Sequence, residues 1–463
     1  MKGARLLPSG VEGLDRILCG GLLNPSSYLI AGGPGTGKTV LSTQIAFRLA
    51  QRGEGTLFVS VLTEPYSHLI RNLSGLSFFD ERVINRQITF VSAFAILEQQ
   101  GLTGLEEMLR LSLPGSTARL LILDNIGMLN GYAPTLLDYR AFLQKIVSLA
   151  TMSGATLLAS TDRDFSSNAT EYGAFDGILY LRQRHYGLRT YRTLEVSKSR
   201  GSFSLPGEHM FEICEEGLCI YPRVETGWLG EPPDRVWDET GPWGVEGLEV
   251  MAGGGVGRGT VTGLVGPTGS GKTAICLAFA AAGLREGEDV LYVSHNESPA
   301  RLRQEARHLG LDLDAGPGRL EIVWRPPREV IQERAVNRFF RRLDGNRRIR
   351  LIVDGLDSTR RDAAYPERFG PLWAHLADHL RGHGVTTLFT TEEAPRQGAV
   401  EGTKIPWSSI ENIIDLQYEV EEGRRSTALR IVKARGRSHA TRSGRLDISD
   451  TGVRVRPHPP DGS

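Results

Sequence analysis

Long apolar runs are missing from this sequence. No stretch of 18 consecutive apolar residues occurs, so no segment is expected to cross a bilayer as a helix. The start of the chain, with Met1, Lys2, Leu6, Leu7 and Pro8, lacks the apolar core of a secretory signal, and the cytoplasm is the expected location. Cysteine is scarce: the four present (Cys19, Cys214, Cys219, Cys276) include no CxxC pair, which argues against a disulfide framework and against zinc or redox chemistry. Buried free thiols are the expectation. Net charge is absent as well, with 54 basic residues against 54 acidic, so the overall balance draws the chain neither to nucleic acid nor to an anionic membrane. Lysine is rare, supplying only seven of the 54 basic residues.

What is present is the composition of an ordinary soluble globular protein, 40% hydrophobic and 23% charged, in a chain of 463 residues that is too long for one core. The chain repeats itself. Gly10-Val11-Glu12-Gly13-Leu14 recurs as Gly244-Val245-Glu246-Gly247-Leu248, Gly37-Lys38-Thr39 as Gly271-Lys272-Thr273, and Leu57-Phe58-Val59-Ser60 as Leu291-Tyr292-Val293-Ser294, each at the same spacing. Lys198-Ser199-Arg200-Gly201 likewise matches Lys433-Ala434-Arg435-Gly436. Repeats of this length are globular domains and not solenoid units. The expected division is 1–228, a Gly-, Pro- and Trp-rich linker at 229–240, and 241–463.

Each half reads strand, glycine loop, helix, strand, which predicts an α/β fold with a mainly parallel twisted sheet flanked by helices. The loops Gly32-Gly33-Pro34-Gly35-Thr36-Gly37-Lys38-Thr39 and Gly266-Pro267-Thr268-Gly269-Ser270-Gly271-Lys272-Thr273 both fit GxxxxGK[ST]. In such a P-loop the glycines let successive N–H groups face a triphosphate, and the following helix aims its positive end at the same charge. Lys38 and Lys272 are then expected on the β/γ-phosphates of ATP, with the Thr39 and Thr273 hydroxyls on Mg²⁺. The apolar runs ending in Asp124 and Asp354 supply the second Mg²⁺ contact. Lys38, Lys272, Lys198 and Lys433 hold equivalent positions in an otherwise arginine-rich chain, which marks them as sites needing a compact ammonium group.

These motifs, with the closing triplets Phe211-Glu212-Ile213 and Leu446-Asp447-Ile448 that precede Pro222 and Pro457, resemble the KaiC family of RecA-like ATPases over nearly all of both halves. The resemblance implies a ring-shaped homo-oligomer, a hexamer, in which Lys198, Arg200, Lys433 and Arg435 act on ATP bound to the neighbouring subunit. A solvated strand pair is the plainer reading of those four. The family also places two adjacent glutamates after the second strand, one of which acts on the attacking water or hydroxyl. Here one remains in each half, in Thr63-Glu64 and Asn296-Glu297. A clock protein of the family autophosphorylates a Ser/Thr pair in its second domain; the nearest match is Ser408-Ser409, for which a helix cap is the alternative. The expected function is an ATP-hydrolysing oligomeric switch with an unidentified regulatory protein partner. A serine/threonine autokinase is the alternative, and a nucleic-acid-dependent ATPase a third reading that neutral charge disfavours. Seven arginines between Arg334 and Arg350 (also Arg338, Arg341, Arg342, Arg347 and Arg348) form either a solvated helix face or a site for phosphate or an acidic partner.

Overall fold

A computed structural model describes residues 5–61, 66–113, 117–162, 171–186, 189–227, 229–324, 332–340, 347–361, 365–392, 405–421 and 424–457. The chain forms two compact units, 1–228 and 229–463. Residues 229–240 lie against the second unit: Trp237 Nε1 donates to the Arg381 carbonyl at 3.0 Å, and the Arg258 guanidinium sits 3.9 Å from the Trp237 ring.

In the first unit nine strands make one sheet: β1 (Ser27–Ala31), β2 (Gly55–Ser60), β3 (Ile88–Ser92), β4 (Ala118–Asp124), β5 (Thr156–Thr161), β6 (Gly177–Tyr186), β7 (Arg189–Ser199), β8 (Glu208–Cys214) and β9 (Gly217–Tyr221). Their spatial order is β9-β8-β7-β6-β1-β5-β4-β2-β3. The six from β6 to β3 run parallel and the three at the other edge form an antiparallel meander. The second unit repeats the plan with β10 (Val261–Val265), β11 (Asp289–Ser294), β12 (Leu320–Trp324), β13 (Ile349–Asp354), β14 (Thr386–Thr391), β15 (Asn412–Glu421), β16 (Arg424–Ala434), β17 (Gly444–Ser449) and β18 (Gly452–Pro457). Its order, β12-β11-β13-β14-β10-β15-β16-β17-β18, is the same strand for strand.

The central strands are apolar without alternation because helices cover both faces. In β4 the run from Leu120 to Asp124 is wholly buried, and the first unit accordingly has separate apolar cores on the two sides of its sheet. Helices α1 (Lys38–Ala50) and α2 (Lys272–Arg285) follow β1 and β10 directly. Alanine and leucine on nearly every side let them sit deep in the protein, and α2 is buried continuously from Ala274 to Leu284. Each begins after a glycine in the left-handed region, Gly37 at φ 102° and Gly271 at φ 92°. That conformation suits glycine alone among common residues. Among the described residues no helix is long and apolar enough to cross a membrane.

Three expectations need correction. Cys214 and Cys219 are disulfide-bonded, because they bracket the turn between β8 and β9 and face each other diagonally across it. Cys19 is exposed, and only Cys276 is a buried free thiol. Ser408 and Ser409 do not cap a helix: they lie in a single 3-10 turn, Trp407–Ser409, that leads into β15. Arg350 does not face solvent. It is fully buried on β13, where its Nε pairs with Glu288, its Nη1 donates to the carbonyls of Pro242 and Phe279 at 2.9 and 3.0 Å, and its guanidinium lies over the Phe279 ring. Arg341 and Arg342 lie outside the described residues.

Candidate functional site

The carboxyl ends of the parallel strands bring the predicted residues together in each half. Register does the placing: β2 pairs with β4 so that Ser60 stands opposite Asp124, and β11 pairs with β13 so that Ser294 stands opposite Asp354. The P-loop after β1 or β10 then lies beside the terminal aspartate, at the position where ligands bind in open α/β sheets.

Within the first loop Lys38 Nζ donates to the carbonyls of Gly32 and Gly33 at 2.8 and 2.9 Å. Within the second, Lys272 Nζ donates to Gly266 and Pro267 at 2.6 and 2.9 Å. Thr36 in the first loop is nearly buried and donates to the Gly33 carbonyl, holding the turn closed. Ser270 holds the equivalent position and is also buried, whereas Thr268 pairs with Glu392. Gly35 at φ 73° and Gly269 at φ 80° require left-handed backbone. A Cβ at Gly33 or Gly35 meets nothing within 4 Å, so these two positions are open to a bulky anion beside Pro34. Burial pulls both P-loop ammonium groups below the usual lysine range, and nearby carboxylates oppose the shift: Asp162 and Asp124 for Lys38, Glu392 and Asp354 foremost for Lys272.

The hydroxyl of Thr39 reaches Asp124 Oδ2 at 3.2 Å, and Thr273 reaches Asp354 Oδ2 at 3.0 Å. Hydroxyl plus carboxylate is an all-oxygen donor set suited to a hard cation such as Mg²⁺. Residues that sequence reasoning missed orient the aspartates. Ser160 donates to Asp124 Oδ1 at 2.5 Å while accepting from Asn125 N; Thr390 donates to Asp354 Oδ1 at 2.8 Å while accepting from Gly355 N. The available signal was a hydroxyl residue at the next-to-last position of matching strands in both halves. The second half adds a third donor, Tyr292 OH, at 2.9 Å from Asp354 Oδ2. Burial raises the Asp124 carboxyl above its usual range, against the lowering effect of Ser160, Thr39 and Lys38.

A cavity of about 600 Å³ in the second unit is lined by Lys272, Thr273, Asp354, Glu297 and a residue the sequence did not single out, Glu305. Glu297 pairs with Arg301 at 2.8 Å. Burial raises the Glu305 carboxyl, and the neighbouring charges of Glu297 and Asp354 raise it further. Glu64 lies outside the described residues. The spacing that relates the two P-loops sets Glu64 against Ser298, the cap of helix Pro299–His308, and Thr63 against Glu297. The two glutamates therefore occupy adjacent and not identical places in the repeat.

The K-x-R-G residues sit together at the far ends of β7 and β16. Lys198 Nζ donates to the Tyr172 carbonyl at 2.9 Å, and Lys433 Nζ to the equivalent Trp407 carbonyl at 3.1 Å and to that of Ser408 at 3.3 Å. Both lysines are half-buried, and burial first and the adjacent arginine (Arg200 or Arg435) second lower their ammonium groups below the usual range. Arg200 and Arg435 are exposed. These four groups are not among the residues lining the Lys272 cavity. Ile213 and Ile448, exposed apolar side chains at matching places in the closing triplets, lie against Gly37 and Gly271.

A protein-family model described as "ATPase: KaiC" matches residues 7–225 and again 241–460. The chain is 25% identical to the circadian clock oscillator protein KaiC of Parathermosynechococcus lividus over 472 aligned positions, covering 98% of this chain and 86% of that protein. It is 26% identical to the protein of the same name from Synechococcus elongatus, covering 96% and 88%. With the family pattern matched twice over nearly the whole length, and a nucleotide-type loop at the same place in both sheets, the chain belongs to the KaiC family of ATPases and carries two KaiC domains in tandem.

Proposed function

We propose that each domain binds ATP with Mg²⁺ and hydrolyses it, and that the chain works as a nucleotide-driven regulatory switch in a ring-shaped homo-hexamer of the cytoplasm that signals to a protein partner. The observation that carries this reading is the duplicated cradle, in which a lysine ammonium closes on the first carbonyls of a glycine loop beside a threonine–aspartate pair.

In this reading Lys38 and Lys272 hold the β- and γ-phosphates together with the loop amides of residues 32–39 and 266–273. Thr39 with Asp124, and Thr273 with Asp354, would hold Mg²⁺, which when bound would supply positive charge beside the phosphates. Ser160, Thr390 and Tyr292 fix the aspartates so that no reorientation is needed when the cation arrives. Glu297 orients the attacking water in the second domain, and Glu64, offset from it by one residue in the repeat, does so less effectively in the first. Lys198, Arg200, Lys433 and Arg435 stabilise γ-phosphoryl charge on the adjacent subunit, which their partial exposure at strand ends permits.

One observation favours a second reading as autokinase. Ser408 is exposed, and its carbonyl holds Lys433, one of the residues assigned to a phosphoryl group. Purified protein with γ-labelled ATP separates the two. Free phosphate that falls in Lys38→Ala and Lys272→Ala supports the switch. Protein-retained label that disappears in Lys272→Ala and in Ser408→Ala with Ser409→Ala supports the kinase. Neither product from wild type contradicts both.

A further inference from the structure

The hairpin of β8 and β9 carries a pair of sulfurs at a place where they can act on a P-loop. Cys214 ends β8, Cys219 lies in β9, both are half-buried, and they are joined across a turn with Cα atoms 6.7 Å apart. That turn is bonded to α1. Gln44, a nearly buried residue one and a half turns beyond Lys38, accepts from Leu218 N at 2.8 Å and donates to the Glu216 carbonyl at 3.0 Å. The residue before Cys214, Ile213, packs so closely on the P-loop that a Cβ on Gly37 would come within 2.9 Å of its Cδ1. The Glu215 carbonyl accepts from Ser77 N at 2.7 Å, fixing the turn from its other side.

The isoleucine contact recurs in the second domain, where Ile448 lies against Gly271, but the sulfurs and the glutamine do not. The matching hairpin has the same register, with Ser449 opposite Gly452 as Cys214 is opposite Gly217, yet Ser449 and Arg454 replace the two cysteines. Ala278 replaces Gln44 on α2. The sulfurs and the tether that links them to the loop are both confined to the first domain.

We propose that Cys214 and Cys219 are a reversible thiol–disulfide switch that sets the nucleotide affinity of the first domain and leaves the second untouched. The inference rests on the P-loop reading above. Oxidation uses a low-molecular-weight disulfide such as oxidised glutathione. One cysteine thiolate attacks that disulfide, its S–S bond breaks, one glutathione thiolate leaves, and a mixed disulfide remains on the protein. The second thiolate then attacks the protein-bound sulfur, closing Cys214–Cys219 and expelling the second glutathione thiolate. The two protons lost by the protein thiols end on the two released glutathiones, so two protein thiols and one oxidised glutathione become one protein disulfide and two glutathiones. A dithiol reductant runs the sequence backwards. Closure pins the turn against Gln44 and Ile213 and preorganises the loop; opening lets the edge hairpin move and costs affinity.

The test uses full-length Lys272→Ala, in which the first domain alone carries an intact P-loop, and measures Mg²⁺–ATP affinity by calorimetry in oxidised glutathione and in dithiothreitol. Alkylation and mass spectrometry count free thiols in the same samples. The oxidised form is expected to bind about 10-fold more tightly, in the range of ordinary coupling between sites. The difference is expected to vanish in Cys214→Ser and Cys219→Ser, to shrink in Gln44→Ala while the thiols still interconvert, and to be absent from Lys38→Ala. Equal affinity in both states with complete interconversion overturns the switch and leaves the P-loop reading intact. So does failure of the thiols to oxidise, or retention of Zn²⁺ by Cys214, Glu216 and Cys219 in place of disulfide formation. No ATP binding in either state overturns the P-loop reading and the switch together.

Discussion

The two domains share a strand order, a P-loop, an aspartate and two hydroxyl donors to it, yet differ in a third donor and in the carboxylates nearby. Asp124 receives hydrogen bonds from Ser160 and Thr39. Asp354 receives them from Thr390, Thr273 and Tyr292, whose counterpart in the first domain is Phe58. The second cavity contains Glu297 and Glu305, and the repeat spacing sets Thr63 and Arg71 in those places in the first. The loop proposed to hold phosphate has thus been kept in duplicate, because it depends on backbone curvature and a single lysine. The nearby carboxylates and one donor to the aspartate have diverged, because a loop, a helix and a neighbouring strand supply them independently.

Replacing the carboxylate that faces the second nucleotide site is the strongest way to break this comparison. Glu297→Gln is expected to slow phosphate release from the second domain about 100-fold, the usual scale for losing a positioned base, as read in single-turnover assays in a Lys38→Ala background. Glu64→Gln, measured in Lys272→Ala, is expected to have a much smaller effect because the repeat spacing sets it against Ser298 and not against Glu297. Equal losses would show the two glutamates to be equivalent.

Core packing supplies the next contrast. The strand pairing that sets Arg350 in the second domain sets Leu120, fully buried, in the first. Arg350→Ala strands Glu288 without its partner and is expected to destabilise the second domain by about 3–5 kcal/mol in denaturant unfolding. Arg350→Leu, the residue type of the first domain, combined with Glu288→Gln, which removes the charge left without a partner, is expected to recover most of that loss. A double variant as unstable as Arg350→Ala would mean that the ion pair is not what holds this region.

A smaller effect is expected from Tyr292→Phe, which gives the second aspartate the surroundings of the first. Loss of one hydrogen bond is worth about 1 kcal/mol. For a domain of this size that corresponds to about 2–4 °C in Tm, followed by calorimetry. No change would place the Tyr292 hydroxyl outside the support of Asp354.

The smallest expected effect is a pH dependence. Burial raises the Asp124 carboxyl in the folded state above its unfolded value. The folded state therefore binds the proton more tightly, and stability falls as pH rises from the unfolded value through the folded one. Asp124→Asn removes that charge, so without Mg²⁺ it is expected to stabilise the first domain at neutral pH and to lose the advantage in acid. A variant that is equally stable relative to wild type at all pH values would contradict this.

Much of this was legible before any coordinates. The α/β fold follows from short apolar strands alternating with buried helices, and the P-loops from glycine spacing. The proximity of Thr39 to Asp124 and Thr273 to Asp354 follows from strands that end at one edge of a parallel sheet. What could not be read depends on register between distant strands. Ser160 and Thr390 look like ordinary strand residues until β4 and β13 bring the aspartates beside them. Arg350 sits in a basic run and reads as surface, because the buried partner that holds it, Glu288, is far away in sequence. The Cys214–Cys219 pair is not legible in the sequence, because its spacing matches no familiar motif and only the hairpin turns it into a pair.

The most direct measurement of the central claim is the number of Mg²⁺–ATP molecules bound per chain. Calorimetry on wild type, Lys38→Ala, Lys272→Ala and the double variant is expected to return two, one, one and none. Two bound nucleotides in either single variant, or none in wild type, would contradict a duplicated ATP site.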